Sequence, residues 1–294
     1  MTSQSRTRVF SALLLSLLAT ALHVASTAPV EPEDESGFNY IPGSERGPEN
    51  WGYLKEEWSA CSEGQEQSPI DLAREDVDVI WGAGNLRRNY NPTKAYVMNR
   101  GHDIRLRWDE RRAGSIKLDG RDYFLQQCHW HHPSEHAIDG RRYPLELHMV
   151  HSAAEAPHNI VVVGLLYEIG KRNAFINQVL GGIWPEMMTL GEEIEVGRID
   201  PRDIIKDGQS YYRYKGSLTT PPCTEGVVWI VNQKISSVSE DQIRLLRRLV
   251  GDGARYNARP IQPLNDRKIR FFYEPDRERS IESMTPLHIN AVAS

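Results

Sequence analysis

Gln127-Cys-His-Trp-His-His-Pro-Ser-Glu-His136, followed by Glu146-Leu-His-Met-Val-His151, gathers six of the chain's 10 histidines into one short region. Side chains on a strand point alternately to its two faces. His129 and His131 therefore share a face with Gln127, while Cys128 and Trp130 point the other way into apolar packing. By the same period His148 shares a face with Glu146. The turn signal Asp139-Gly140 lies between the two segments and lets them run side by side.

Three imidazoles converging from rigid strands suit a tetrahedral Zn²⁺ whose fourth position stays open. Neutral imidazoles leave the full charge on the metal, which acidifies a bound water from a pKa of ~16 to ~7. Gln127 and Glu146 each stand two residues before a histidine, placed to accept its outer N–H and fix its tautomer. The competing reading is chance proximity of core histidines. It suffices for one imidazole but not for a His-x-His joined by a third strand histidine.

Working outward, β-type runs recur at Ala95–Met98, Asp103–Trp108, Tyr123–His131, Leu145–His151, Ile160–Tyr167 and Val227–Val231. Gly101, Asp119-Gly120, Asp139-Gly140 and Pro221-Pro222 punctuate them. Helical signals are fewer. Ser239 and Gln242 make a capping box before Ile243, Leu246 and Leu249 or Val250, and Asn173 caps a shorter helix running to Leu180. The class is α+β and dominated by sheet. The chain has 294 residues, 39% hydrophobic and 26% charged, which excludes a disordered or collagen-like protein. Its net charge of −5 and lack of an evident basic patch argue against a nucleic-acid partner.

Arg6 and Arg8 precede the apolar run Ser11–Leu22, too short for a bilayer span, and small residues follow. Residues 1–26 read as a signal peptide and 27–47 as an acidic, Pro- and Gly-rich leader, solvated or laid over the surface. Residues 48–275 form one domain, and 276–294 a polar tail without a lipid-anchor signal. Of the three cysteines, Cys128 reads as a buried inert thiol. Cys61 and Cys223 sit in polar loops and are the favoured pair of three possible ones. That bridge stabilises by about 4–5 kcal/mol in the chain-entropy model.

Taken together, Trp51-Gly-Tyr53, Gln67-Ser-Pro-Ile70, Asn99-Arg-Gly-His102, the two histidine segments, Ser217-Leu-Thr-Thr-Pro-Pro-Cys223 and Asn257-Ala-Arg-Pro260 resemble the α-class carbonic anhydrases in their plant version. The resemblance implies a single domain around a large, twisted, mostly antiparallel sheet of about ten strands, flanked by short helices. It also supports the Cys61–Cys223 bridge. It implies reversible hydration of CO₂ to bicarbonate and a proton by attack of zinc-bound hydroxide, with CO₂/bicarbonate as the partner and Zn²⁺ as the cofactor.

Residue by residue, the resemblance makes His129, His131 and His148 the zinc ligands, oriented by Gln127, Glu146 and the backbone of Asn257. Thr219 passes its hydroxyl proton toward Glu135. Val150, Val162, Leu218 and Trp229 form the dry wall for CO₂. His102 becomes the proton shuttle, with Tyr53 and Thr220 holding connecting waters. His136 and His151 read as structural, and His158 and His288 as surface residues. His132 stands where animal enzymes carry Trp.

Arg100 and Arg105 depart from the family pattern. Two guanidinium groups beside His102 disfavour its protonated form and slow proton export. A non-catalytic storage or ligand-binding protein on the same fold is the second reading, and an esterase the third. Both are disfavoured because ligands, Thr219 and Glu135 are all present and no charged residue is placed to orient a larger substrate. The signal peptide implies secretion to the apoplast, with a plastid reached through the secretory route as the minor alternative. No transmembrane segment is expected in the mature chain, and the oligomeric state is not legible.

Overall fold

The structure, a computed structural model, describes residues 37–273 apart from 83–85, 110, 157, 182, 184–188 and 206–209. The expected signal peptide, the first part of the leader and the tail lie outside the described residues. In chain order the strands are β1 Val77–Trp81, β2 Arg87–Tyr90, β3 Thr93–Asn99, β4 Ile104–Trp108, β5 Gly114–Leu118, β6 Arg121–His131, β7 Ala137–Ile138 and β8 Arg141–Arg142. They continue as β9 Leu145–Ala153, β10 Ile160–Ile169, β11 Glu193–Ile199, β12 Tyr211–Ser217, β13 Glu225–Asn232, β14 Ser236–Val238 and β15 Ile269–Tyr273. The α-helices are α1 Trp51–Leu54, α2 Ala60–Glu63, α3 Ala174–Leu180 and α4 Glu240–Leu249.

One large sheet runs in the order β1-β15-β12-β13-β10-β9-β6-β4-β3-β11, with β2, β5 and β14 attached beside that path. The pairs β1/β15, β10/β13 and β10/β14 are parallel and the rest antiparallel. The sheet is therefore mixed, built mostly from antiparallel pairs as expected. Each strand run read from the sequence lies within or against one of these strands.

The two histidine strands form the centre. β6 and β9 pair antiparallel with His129 opposite His148, His131 opposite Glu146 and Gln127 opposite Val150. Asp139 and Gly140 both have positive φ and close the two-residue β7–β8 hairpin between them, the geometry an Asp-Gly pair supplies at least strain. The period-2 alternation sorts side chains into two buried clusters. Cys128, Trp130, Leu147 and Met149 pack in one with Phe175, Ile176 and Ile243 from α3 and α4. Val150, Val162, Leu218, Trp229 and Tyr214 pack in the other. Asn173 caps α3 through Ile176 N, and Ser239 with Gln242 forms the capping box of α4.

The described part of the leader packs onto the domain: Phe38 and Tyr40 are buried, and their rings meet Trp51 edge-on. Two large aromatic side chains outweigh the polar composition of the segment around them. Cys61 and Cys223 form a disulfide, and Cys128 is a buried free thiol.

Candidate metal centre

His129, His131 and His148 each present one ring nitrogen, and the three nitrogens lie within 4.8 Å of one another. All three residues are buried. Each ring is held from outside. His129 Nδ1 donates to Gln127 Oε1 (2.9 Å), His131 Nδ1 to the backbone oxygen of Asn257 (2.7 Å) and His148 Nε2 to Glu146 Oε1 (2.9 Å). These bonds fix the tautomers, so Nε2 of His129, Nε2 of His131 and Nδ1 of His148 carry lone pairs toward a common point.

Glu146 is a fully satisfied buried carboxylate. Oε1 accepts from His148 and from His136 Nδ1 (2.7 Å), and Oε2 accepts from the backbone N–H groups of Glu135 and His136 (both 2.8 Å). Burial raises its pKa, but His136 and His148 outweigh that and hold it well below the usual carboxylate range. The chain of contacts continues. His136 Nε2 accepts from the Tyr214 hydroxyl (2.6 Å), which lies 2.8 Å from Ser68 Oγ.

Glu135 stands against the same point. Its Oε1 accepts from the backbone N–H of Arg259 (2.8 Å), while Oε2 lies 3.6 Å from His131 Nε2 and 4.0 Å from His148 Nδ1. His131 Nε2 and Glu135 Oε2 are buried without a hydrogen-bond partner. Such atoms are costly unless something else satisfies them. Burial disfavours a charge on His131, but Glu135 and the Asn257 oxygen overcome this and raise its pKa. Three imidazole donors in fixed tautomers, with no thiolate among them, fit Zn²⁺.

Val162 pairs with Val150 on one side and Trp229 on the other, so three of the expected wall residues lie in one row across β9, β10 and β13. The Trp229 ring centroid is 4.7 Å from that of His148, and Trp229 Nε1 donates to Ser217 O (2.9 Å). Leu218, Thr219 and Thr220 follow Ser217 directly and are all buried. Thr220 Oγ1 has no hydrogen-bond partner.

His102 lies buried at the β3–β4 turn with its ring 5.5 Å from that of Phe38 and Nε2 3.4 Å from Asp103 Oδ2. The two guanidinium groups flanking His102 each meet a carboxylate, Arg105 sharing Glu193 with Arg107. Arg100 Nε donates to Asp103 Oδ1 (2.8 Å) and its Nη2 to Oδ2, while Arg105 Nη2 lies 3.5 Å from Glu193 Oε1. Burial raises the Asp103 pKa, yet Arg100, then His102 and His129, hold it far below the ordinary value.

Tyr53 lies on the exposed face of α1. Trp51 takes the buried face of α1, and Tyr53, two residues on, is turned about 200° away and stands 78% exposed. Sequence reading missed two contributors near the centre. Asp103 forms an i,i+3 pair with Arg100 across a turn, and Arg259 anchors Glu135 through its backbone. Asn257 does more than orient His131. Its Nδ2 donates to the oxygens of His102 and Trp130, and its Oδ1 accepts from His132 N. His132 is buried, and burial followed by the charge of Arg247 pushes its pKa down to about 4. His151 pairs with Tyr90, and His158 is exposed. Among the described residues no helix is long and apolar enough to cross a membrane.

Residues 46–273 match the family described as eukaryotic-type carbonic anhydrase. Alpha carbonic anhydrase 7 of Arabidopsis thaliana is 47% identical over 268 residues, 90% of this chain and 94% of that protein. Carbonic anhydrase Nec1 of Nesocodon mauritianus is 44% identical over 273 residues, 92% of this chain and 98% of that one. The crystal structure of dioscorin complexed with ascorbate superposes with a TM-score of 0.77 at 40% identity, covering 82% of this chain and 99% of that one. The α-carbonic anhydrase of Thermovibrio ammonificans, in complex with sulfanilamide, gives 0.72 at 36%, covering 81% and 100%. The chain belongs to the eukaryotic-type carbonic anhydrase family.

Proposed function

We propose that this protein catalyses the reversible hydration of CO₂ to bicarbonate and a proton at a zinc ion held by His129, His131 and His148. The observation that carries this reading is the set of three outer hydrogen bonds, which leaves three inward nitrogens with lone pairs. Zinc bound there supplies a Lewis acid that brings a water pKa to ~7, a value for which carbonic anhydrase is itself the reference case.

The remaining work falls to the chain's own residues. Glu135, anchored through Oε1, has its Oε2 free of any protein hydrogen bond and is assigned as the acceptor for the Thr219 hydroxyl, a bond that would form once zinc is bound. Thr219 is thereby left to accept a hydrogen bond from the attacking oxygen, and its backbone N–H holds the product-side oxygen. Val150, Val162, Leu218 and Trp229 exclude water where CO₂ rests, since a small apolar substrate needs a dry wall rather than a charged clamp. His102 exports the proton, with Thr220 holding connecting water. The pairing of Arg100 with Asp103 leaves His102 beside a neutralised cation, so proton export is not slowed by Arg100. Activated esters are a side substrate of the same centre. Entry into the secretory pathway through residues 1–26 and residence in the apoplast agree with the Cys61–Cys223 disulfide.

The test is CO₂ hydration by the zinc-loaded mature chain across pH. A rate that rises through a near-neutral pKa and vanishes in His148→Ala supports the reading. A background rate from folded, zinc-holding protein overturns it in favour of a binding protein on the same fold.

A further inference from the structure

We propose that the cationic hollow between β12 and the start of β15 is a binding site for one small free oxyanion of the phosphate type. It lies outside the metal centre. Arg213 on β12 and Arg270 on β15 stand directly opposite each other in antiparallel register. Like charges in that relation destabilise a sheet unless something compensates them. Lys215 follows Arg213 by two residues and so shares its face, and Lys268 precedes Arg270 by two.

A cavity of about 230 Å³ is lined by Arg213, Lys215, Arg267, Lys268 and Arg270, with Glu66 the one acidic lining residue. Its volume falls below the ~300–1,000 Å³ of sites for drug-sized ligands, which favours a compact anion. Arg213 is paired with Asp119. The side chains of Lys215, Lys268 and Arg270 are exposed and have no ion-pair partner among the described residues. This excess of positive charge stands on a chain whose net charge is −5.

Arg267 is the fixed element. Its guanidinium donates to the backbone oxygens of Leu264 (2.9 Å), Lys215 (3.0 Å) and Pro263 (2.6 Å) and lies 5.7 Å from the centroid of the Tyr214 ring. Half-buried, it is a cation held in place before any ligand arrives, so little ordering is required on binding. Burial lowers its pKa, against Tyr214, Glu66 and Glu225, but an arginine stays charged. Since all three of its nitrogens already donate to backbone oxygens, Arg267 contributes fixed positive charge, and the unpaired Lys215, Lys268 and Arg270 that line the same cavity supply the donors. The Tyr214 hydroxyl points away to His136, so its ring separates this hollow from the histidines.

The test is calorimetric titration of inorganic phosphate into the zinc-loaded full chain at low ionic strength, beside the double variant Lys268→Ala/Arg270→Ala. Both substituted side chains are exposed, so the fold is preserved. The expected result is one saturable phosphate per chain, weakened by added sodium chloride and weakened about tenfold or more in the variant. Zinc content and phosphate-free CO₂ hydration stay unchanged in the variant. Equal phosphate affinity in both proteins would locate the anion at the metal centre and overturn the proposal, and so would the absence of binding. Binding of a sulfated or uronate polymer without free phosphate would overturn it as well, marking a polymer-binding surface instead. Because binding is read directly, its failure is distinct from any failure of the hydration reading.

Discussion

The two faces of the β6–β9 pair are made from the same strands and obey opposite rules. On one face Gln127, His129, His131, Glu146 and His148 are buried with a partner for each ring and carboxylate. On the other, Cys128, Trp130, Leu147 and Met149 are buried by packing alone. The apolar face is held by area and tolerates small shifts. The polar face depends on complete hydrogen bonding and fails at a single lost partner. Stability and chemistry are thus divided across one sheet, a side-chain length apart.

The largest expected effect breaks the apolar face. Trp130→Ala leaves a cavity and costs about 3–5 kcal/mol, read as a fall in the urea midpoint. A cost below about 1 kcal/mol would mean this face does not carry the fold. Gln127→Ala probes the opposite face. Losing the acceptor for His129 weakens zinc about 10–100-fold, measured by competition with a chelator, with a smaller change in urea midpoint than Trp130→Ala. If the two variants shift stability equally, the division does not hold.

His151 sharpens the comparison because it is an imidazole on the packed face, opposite Leu125. Burial pushes its pKa down to about 3, and its Nε2 lies 2.8 Å from the Tyr90 hydroxyl. The unfolded chain takes up a proton near pH 6.5 that the folded chain refuses until about pH 3. Its contribution to stability is therefore complete above about pH 6.5 and lost as pH falls toward 3. His151→Gln flattens that acid limb in a series of urea titrations. An unchanged limb would show that His151 is not held neutral. The smallest effect lies off the sheet. Ser239→Ala removes half of the α4 capping box, costs about 1 kcal/mol and leaves zinc affinity untouched.

How much of this was legible follows from the same physics. The face division could be read because period 2 is local, and the segments 127–136 and 146–151 display it openly. The Asn173 cap of α3 and the capping box of α4 were local too. The strands that escaped sequence reading carry that alternation over too few residues or on too exposed a surface to stand out. Four of the five residues of β1 are exposed, β11 is bent where its register shifts at Gly197, and β12 places tyrosines on both faces. Parallel pairing of β10 with β13 joins residues 67 apart and leaves no local mark. At the metal centre the ligands and the orienting groups Gln127 and Glu146 could be named from spacing, whereas Asn257 followed only from the family resemblance. The partners of Arg100 and Arg105 could not, since Asp103 reads as a strand start and Glu193 lies 88 residues beyond Arg105 in the chain. The burial of Phe38 and Tyr40 escaped sequence reading for a related reason. Burial of an aromatic in a polar leader is decided by what packs over it, here Trp51.

The most direct measurement is zinc occupancy set against CO₂ hydration, in wild type and in His148→Ala, with near-ultraviolet circular dichroism to establish that both are folded. The account predicts one zinc per wild-type chain, a rate proportional to occupancy, and loss of both in the variant. Hydration that persists in zinc-free protein, or full zinc occupancy with only background hydration, would contradict it.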